Sequence, residues 1–175
     1  SVVETFWERE EPDLFGPDIQ YIGVESGRIV FVGNGESQPL TIGLPILLSD
    51  VVYDTFGAWS FGLHGGGHPE DGHGGIDWEY QAGALVYAAA AGEVIDISMN
   101  TGHPPSVQWD VVQEVRPGVH LQYGHIADPP SVNVGDVLVA GDIIGSPSMM
   151  PDDSHYTIHF ALRASSVDLC PIPWF

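Results

Sequence analysis

Apolar and polar positions alternate along most of this chain in short runs, and glycine and proline cut one run from the next. Alternation with a period of two, bounded by turn residues, is the mark of β-strands, whose successive side chains point to opposite faces. Residues 20–32 (QYIGVESGRIVFV) read as two strands joined at Glu25-Ser26-Gly27, and Gly33-Asn34-Gly35 follows as a tight turn. The apolar stretch Leu40–Val52 supplies another strand or two, broken by Pro45. From Ala84 onward strand follows strand: Ala84–Tyr87, Gly92–Ile97, Val107–Val115, Gly118–His125 and Tyr156–Leu162. The alanine run Ala88–Ala91 is too short for a stable helix, and Gly92 closes it. Glycines recur from Gly135 to Gly145 around an apolar pair, the pattern of a strand that turns a corner. A mainly β protein with few or no helices is predicted.

Composition narrows this. The 22 Gly and 14 Pro suit strands and turns, while 43% hydrophobic residues and five Trp argue against disorder. At 175 residues the chain is long enough for one core. Residues 1–20 are acidic and proline-punctuated and read as an irregular arm, tied to the body by Phe6, Trp7 and Phe15. The charge balance is extreme: 24 acidic residues face four Arg and no Lys, a formal charge of −20. Such a surface excludes nucleic acid, whose binding relies on basic contacts, and an anionic membrane surface. No apolar run reaches the ~18 residues of a membrane span, and SVVETFWERE has neither the basic head nor the apolar region of a signal peptide. The single cysteine, Cys170, excludes an intrachain disulfide.

Candidate chemistry concentrates in His73-Gly74-Gly75-Ile76-Asp77. A histidine and a carboxylate are ligands for a metal such as zinc. On an extended strand positions i and i+4 lie ~13 Å apart, too far for one ion. In a helix the Gly-Gly pair would cost ~1 kcal/mol per glycine. A bend at Gly74-Gly75, with glycine free to take positive φ, is the conformation that brings the two side chains together. His64 and His68 lie in the same glycine-rich tract and are rival ligands.

Taken together, His73-x-x-x-Asp77, Val86-Tyr87-Ala88 with Gly92-Glu93-Val94, Tyr123-x-His125, the glycine-spaced Gly135–Gly145 and Thr157-Ile158-His159-Phe160 resemble the lysostaphin-type zinc metallopeptidases. The resemblance covers about residues 53–163 in the family's order. It implies an antiparallel β-sheet core with a groove, in a peptidase domain over residues 51–175, with residues 1–50 as an extension carrying short strands packed on the body. It also implies one Zn2+ per chain, held by His73, Asp77 and His159, with His125 beside it as a proton carrier or stabiliser of the tetrahedral intermediate. Tyr123 and Thr157 would line the substrate site. The implied activity is hydrolysis of peptide bonds in bacterial cell-wall peptidoglycan by zinc-activated water, outside the cytoplasm. The departure is Thr157, where the family has the first histidine of a His-x-His pair. A hydroxyl cannot act as a base near neutral pH. His155 shares its strand face and is a stand-in, provided that a bulge or kink brings it toward His159. The alternative is a zinc-holding, catalytically impaired relative that binds wall peptides or a partner.

Overall fold

The computed structural model describes residues 19–25, 28–33, 36–40, 42–52, 74–101, 107–150, 155–164 and 167–169. His64, His68, His73, Cys170 and the arm over residues 1–18 lie outside the described residues.

Three strands come first: β1 (Ile19–Glu25), β2 (Arg28–Gly33) and β3 (Glu36–Leu40) form an antiparallel sheet in sequence order. The junctions at residues 26–27 and 34–35 are those the turn residues predict. The expected strand over Leu40–Val52 is not formed. After β3 the chain runs irregularly, makes a 3-10 turn at Leu48–Asp50 and forms an isolated β-bridge from Val51 to Tyr80. Its apolar residues serve packing instead, since Leu40, Ile42, Ile46 and Val51 are buried in the main core. Gly43 N–H donates to Ala89 O at 2.7 Å and Tyr87 N–H to Pro45 O at 2.9 Å, so the stretch is laced down by its backbone.

The remaining strands are β4 (Ile76–Tyr80), β5 (Val86–Tyr87), β6 (Gly92–Asn100), β7 (Gln108–Arg116), β8 (Val119–Ala127), β9 (Val137–Leu138), β10 (Ile143–Gly145), β11 (Ser148–Met149), β12 (Tyr156–Ala164) and β13 (Val167–Leu169). Eight of them make one antiparallel sheet. Strand β12 lies against β8, followed by β7, β6 and β9, while β4, β11 and β13 also pair with β12. The segment Gly135–Gly145 is two short strands rather than one: β9 pairs with β6, whereas β10 pairs with β5 in a separate two-stranded ribbon.

One face of the large sheet carries the core. Ile76, Trp78 and Tyr80 of β4, Ile158, Phe160 and Leu162 of β12, and Leu121 and Tyr123 of β8 are all buried there. The alternate positions Asp77, Glu79, His159, Gln122 and Asp110 therefore share the opposite face. The alanine run is neither helix nor strand. Its backbone is pinned by two buried side chains: Ala89 N–H donates to Tyr123 Oη (2.8 Å), Tyr123 donates to Gln113 Oε1 (2.9 Å), and Gln113 Nε2 donates to Ala90 O (2.9 Å).

Candidate functional site

The polar face of β12 and β4 is where the sequence candidates meet. Strand pairing sets His159 directly opposite Asp77 and Thr157 opposite Glu79. Directly opposed residues of an antiparallel pair stand on one face with Cβ atoms ~5 Å apart. His159 Nδ1 and Asp77 Oδ1 close that gap to 2.8 Å. The carboxylate can only accept, so Nδ1–H is the donor in this pair. Both side chains are mostly buried, at 17% and 12% relative exposure, which shields the pair from bulk water.

Gly75 explains how the ring fits. The bend at Gly74-Gly75 is present, but Gly75 does not take positive φ. What it supplies is a missing side chain: a Cβ there would stand 2.6 Å from His159 Cε1 and 2.7 Å from His159 Nε2. Gly124 does the same on the other flank, where a Cβ would meet His159 Cβ at 3.0 Å and Asp110 Oδ1 at 3.2 Å. The ring of His159 thus stands in a slot between two glycines.

His125 reaches this face through an irregularity of β8. Val111 pairs with Tyr123 and Trp109 with Ile126, so Gly124 and His125 together oppose the single residue Asp110. This is a β-bulge, and His125 takes φ 60° within it. That conformation is uncommon for a residue with a Cβ and costs about 1 kcal/mol. Without the bulge, His125 would follow Tyr123 onto the core face. With it, the His125 ring meets the His159 ring edge-on, centroids 6.2 Å apart. His125 Nδ1 lies 2.8 Å from Gln108 Oε1. An amide oxygen only accepts, so Nδ1 carries the proton and Nε2 is the basic nitrogen. Gln108 is itself fully buried, and its Nε2 is directed at Met149 O, 3.5 Å away, which sets the amide oxygen toward His125.

Two expectations are corrected. Tyr123 does not line a substrate site: it is fully buried, its ring tilted 51° against Phe160 with centroids 5.4 Å apart, and its hydroxyl lies between Ala89 and Gln113. Burial raises its pKa, against a smaller lowering by the Ala89 hydrogen bond. His155 does not replace the missing histidine through a bulge, because β12 pairs with β4 and β8 without a register shift. Its Nε2 stands 3.9 Å from Glu79 Oε1 instead. Between them Thr157 is 4% exposed, and its Oγ1 is buried with no hydrogen-bond partner.

Glu79, Gln108, Asp110 and Gln122 were not among the sequence candidates. Glu79 was within reach, since it follows Asp77 by two on the same strand face. Gln108 was not, because only the bulge brings His125 to it.

Two ligand atoms on one tetrahedral zinc stand about 3.3 Å apart, given bonds of about 2.0–2.2 Å. Asp77 Oδ1 and His159 Nδ1, at 2.8 Å, need only a small separation to fit. Among the described residues no group of three His, Cys, Asp or Glu is placed to hold a metal; His73 lies outside them.

A family model described as peptidase family M23 matches residues 71–171. No curated protein matches the chain. Among solved structures, the catalytic domain of lysostaphin from Staphylococcus simulans is similar at 22% identity and TM-score 0.54, over 66% of this chain and 88% of that one. A zinc-containing peptidase from Vibrio cholerae is similar at 18% identity and TM-score 0.57, over 86% of this chain and 52% of that one. A chain of the SpoIIIAH–SpoIIQ complex is similar at 19% identity and TM-score 0.57, over 77% of this chain and all of that one. At these identities the likeness is one of fold, and that fold is the antiparallel sheet described above. The family model spans more than half of the 175 residues, and the chain belongs to peptidase family M23.

Proposed function

We propose that the chain is a zinc metalloendopeptidase that hydrolyses peptide bonds of bacterial cell-wall peptidoglycan outside the cytoplasm. The observation that carries this reading is the 2.8 Å approach of Asp77 Oδ1 to His159 Nδ1, with the His125 ring 6.2 Å from that of His159. His73, Asp77 and His159 would hold one Zn2+ per chain, an N/O donor set that suits this metal. When bound, zinc polarises a substrate carbonyl and lowers the pKa of water toward neutrality. The protein's own part is positional. The Gly75–Gly124 slot orients His159, and Gln108 fixes the tautomer of His125. Nε2 of His125 is then the atom that accepts a proton from the attacking water and returns it to the leaving amine. Among the described residues no helix is long and apolar enough to cross a membrane.

A second reading, a zinc-holding module that binds wall peptides or a partner without turnover, is favoured by Thr157, which offers a buried hydroxyl in place of an imidazole. Digestion of purified peptidoglycan with zinc analysis of the same samples separates the two. Alanine at His73, Asp77 or His159 is expected to remove the metal, while His125→Ala keeps it and stops cleavage. His155→Ala is expected to lose little. Thr157→His is expected to raise the rate, since loss of one acid–base group costs ~10²–10⁴-fold. If wild type and Thr157→His both leave the wall uncut with zinc in place, the module reading replaces the enzyme.

A further inference from the structure

The large sheet ends at β9, and among the described residues no strand pairs with the outer edge of β9. Half of the large apolar side chains that stand exposed among those residues gather on and around it: Val134, Val137, Val139 and Ile143. Leu138 is buried, so alternation turns Val137 and Val139 outward together, at 78% and 60% exposure. Apolar residues exposed singly are ordinary, whereas a cluster of them marks a contact surface. The backbone beneath this cluster is fixed. Asn133 N–H donates to Asp136 Oδ2 and Val139 N–H to Asp142 Oδ2, both at 2.8 Å, while Gly135 N–H and Gly141 N–H are tied to Val94 O and Ala88 O. A surface held this way loses little freedom on binding.

The charge beside it is of one sign. Val137 stands directly opposite Glu93, and Glu93 directly opposite Glu114. Like charges directly opposed across a ladder destabilise it. Glu114 has His120 Nε2 3.5 Å away, whereas no ion pair reaches the exposed Glu93 among the described residues. The complement of this surface is an apolar anchor next to a cation. With four Arg, no Lys and 24 acidic residues the chain is poor in that complement, and a second copy would be repelled.

We propose that Val137, Val139 and Glu93 form a docking surface for a basic partner protein, which seats there an apolar side chain flanked by Lys or Arg. The valines supply the apolar contact and Glu93 the charge that fixes the partner's orientation. The surface lies four strands from β12, about 19 Å across the sheet from His159 at the usual strand spacing. It is therefore separate from the site described above and does not depend on how that site is read.

The test is a titration of the full chain, followed by fluorescence anisotropy, with the labelled, end-blocked peptide Lys-Lys-Leu-Val-Leu-Lys-Lys. One twin of this peptide carries Ser in place of its apolar residues, and a second carries Glu in place of Lys. The parent peptide should bind about tenfold more tightly than the Ser twin, and the Glu twin should not bind. Val137→Ser combined with Val139→Ser should weaken the parent about tenfold and Glu93→Gln about threefold. Val107→Ser, at an exposed valine elsewhere, should change nothing. Melting temperatures no lower than that of wild type show that each variant keeps the fold. Equal binding of the parent and the Ser twin by wild type, a comparison that needs no variant, means that the net charge attracts cations indiscriminately and overturns the docking surface. Wild-type affinity in the double variant or in Glu93→Gln overturns it as well. Sedimentation of the protein alone as a dimer that the double variant abolishes would assign the valines to a second copy and overturn the basic partner.

Discussion

At the scale of single residues, the site is made as much by what is missing as by what is present. Gly75 and Gly124 leave the space that His159 fills, and a methyl group at Gly75 would collide with its ring. Thr157 is the opposite case, a polar atom with nothing to bond. A buried hydroxyl without a partner costs about 1–3 kcal/mol of desolvation, so replacing it with an isosteric apolar side chain recovers part of that. Thr157→Val is therefore expected to stabilise the fold by about 1 kcal/mol, read as a higher denaturation midpoint at unchanged denaturant slope. A lower midpoint would mean that the hydroxyl is satisfied in solution. The ligand types at Asp77 and His159 were legible in the sequence because motif spacing carries them. The conformational reason for Gly75 was not: spacing suggests backbone freedom, and the operative cause is a close approach from a strand 84 residues away in sequence.

Among elements, β8 has the largest share in joining site to core. Its Tyr123 ties the alanine run to β7 through Gln113, and two turns of alternation later the same strand delivers His125 to the other face. Tyr123→Phe leaves Ala89 N–H and Gln113 Oε1 unpaired and should cost about 1–3 kcal/mol. It should also change the alkaline limb of stability. Burial raises the pKa of Tyr123 and of Tyr80, the latter with a further push from the Asp50 carboxylate. A group whose folded pKa is raised gives its full stabilisation below the unfolded value and loses it as pH climbs above that value. Melting temperature should therefore hold up to about pH 10 and fall beyond it, less steeply in Tyr123→Phe. An identical alkaline slope in both proteins would discount Tyr123 as the titrating group. Alternation located β6, β7, β8 and β12 to within a few residues of their observed bounds. It missed Leu40–Val52, where apolar residues pack from irregular backbone, and it gave Gly135–Gly145 as one corner-turning strand where two short strands pair in separate sheets.

For the whole molecule, charge is the dominant global property. With 24 acidic residues against four Arg, like charges repel across the folded surface. Screening shortens their reach from ~30 Å at 0.01 M salt to ~8 Å at 0.15 M. The melting temperature should rise by several degrees over that range, and a flat or falling curve measured by calorimetry would sink this account. Global charge is read directly from composition. The convergence of Asp77, His125 and His159 is not, because it depends on the order in which strands join the sheet and on one bulge within β8.

That bulge turns the length of β8 into a functional quantity. Counting along a strand assigns each residue to one face by odd or even number, and the extra residue at Gly124-His125 reverses the parity for everything after it. Were Gly124 and His125 to pair as a regular strand with the residue count kept, every side chain after Gly124 would change face. That would exchange the two sides of the strand's end, sending the His125 imidazole beneath the sheet and turning the buried Ile126 out onto the polar face. Substitutions that only alter packing here change the site by degrees, whereas one that flattened the bulge would dismantle the site at a single step.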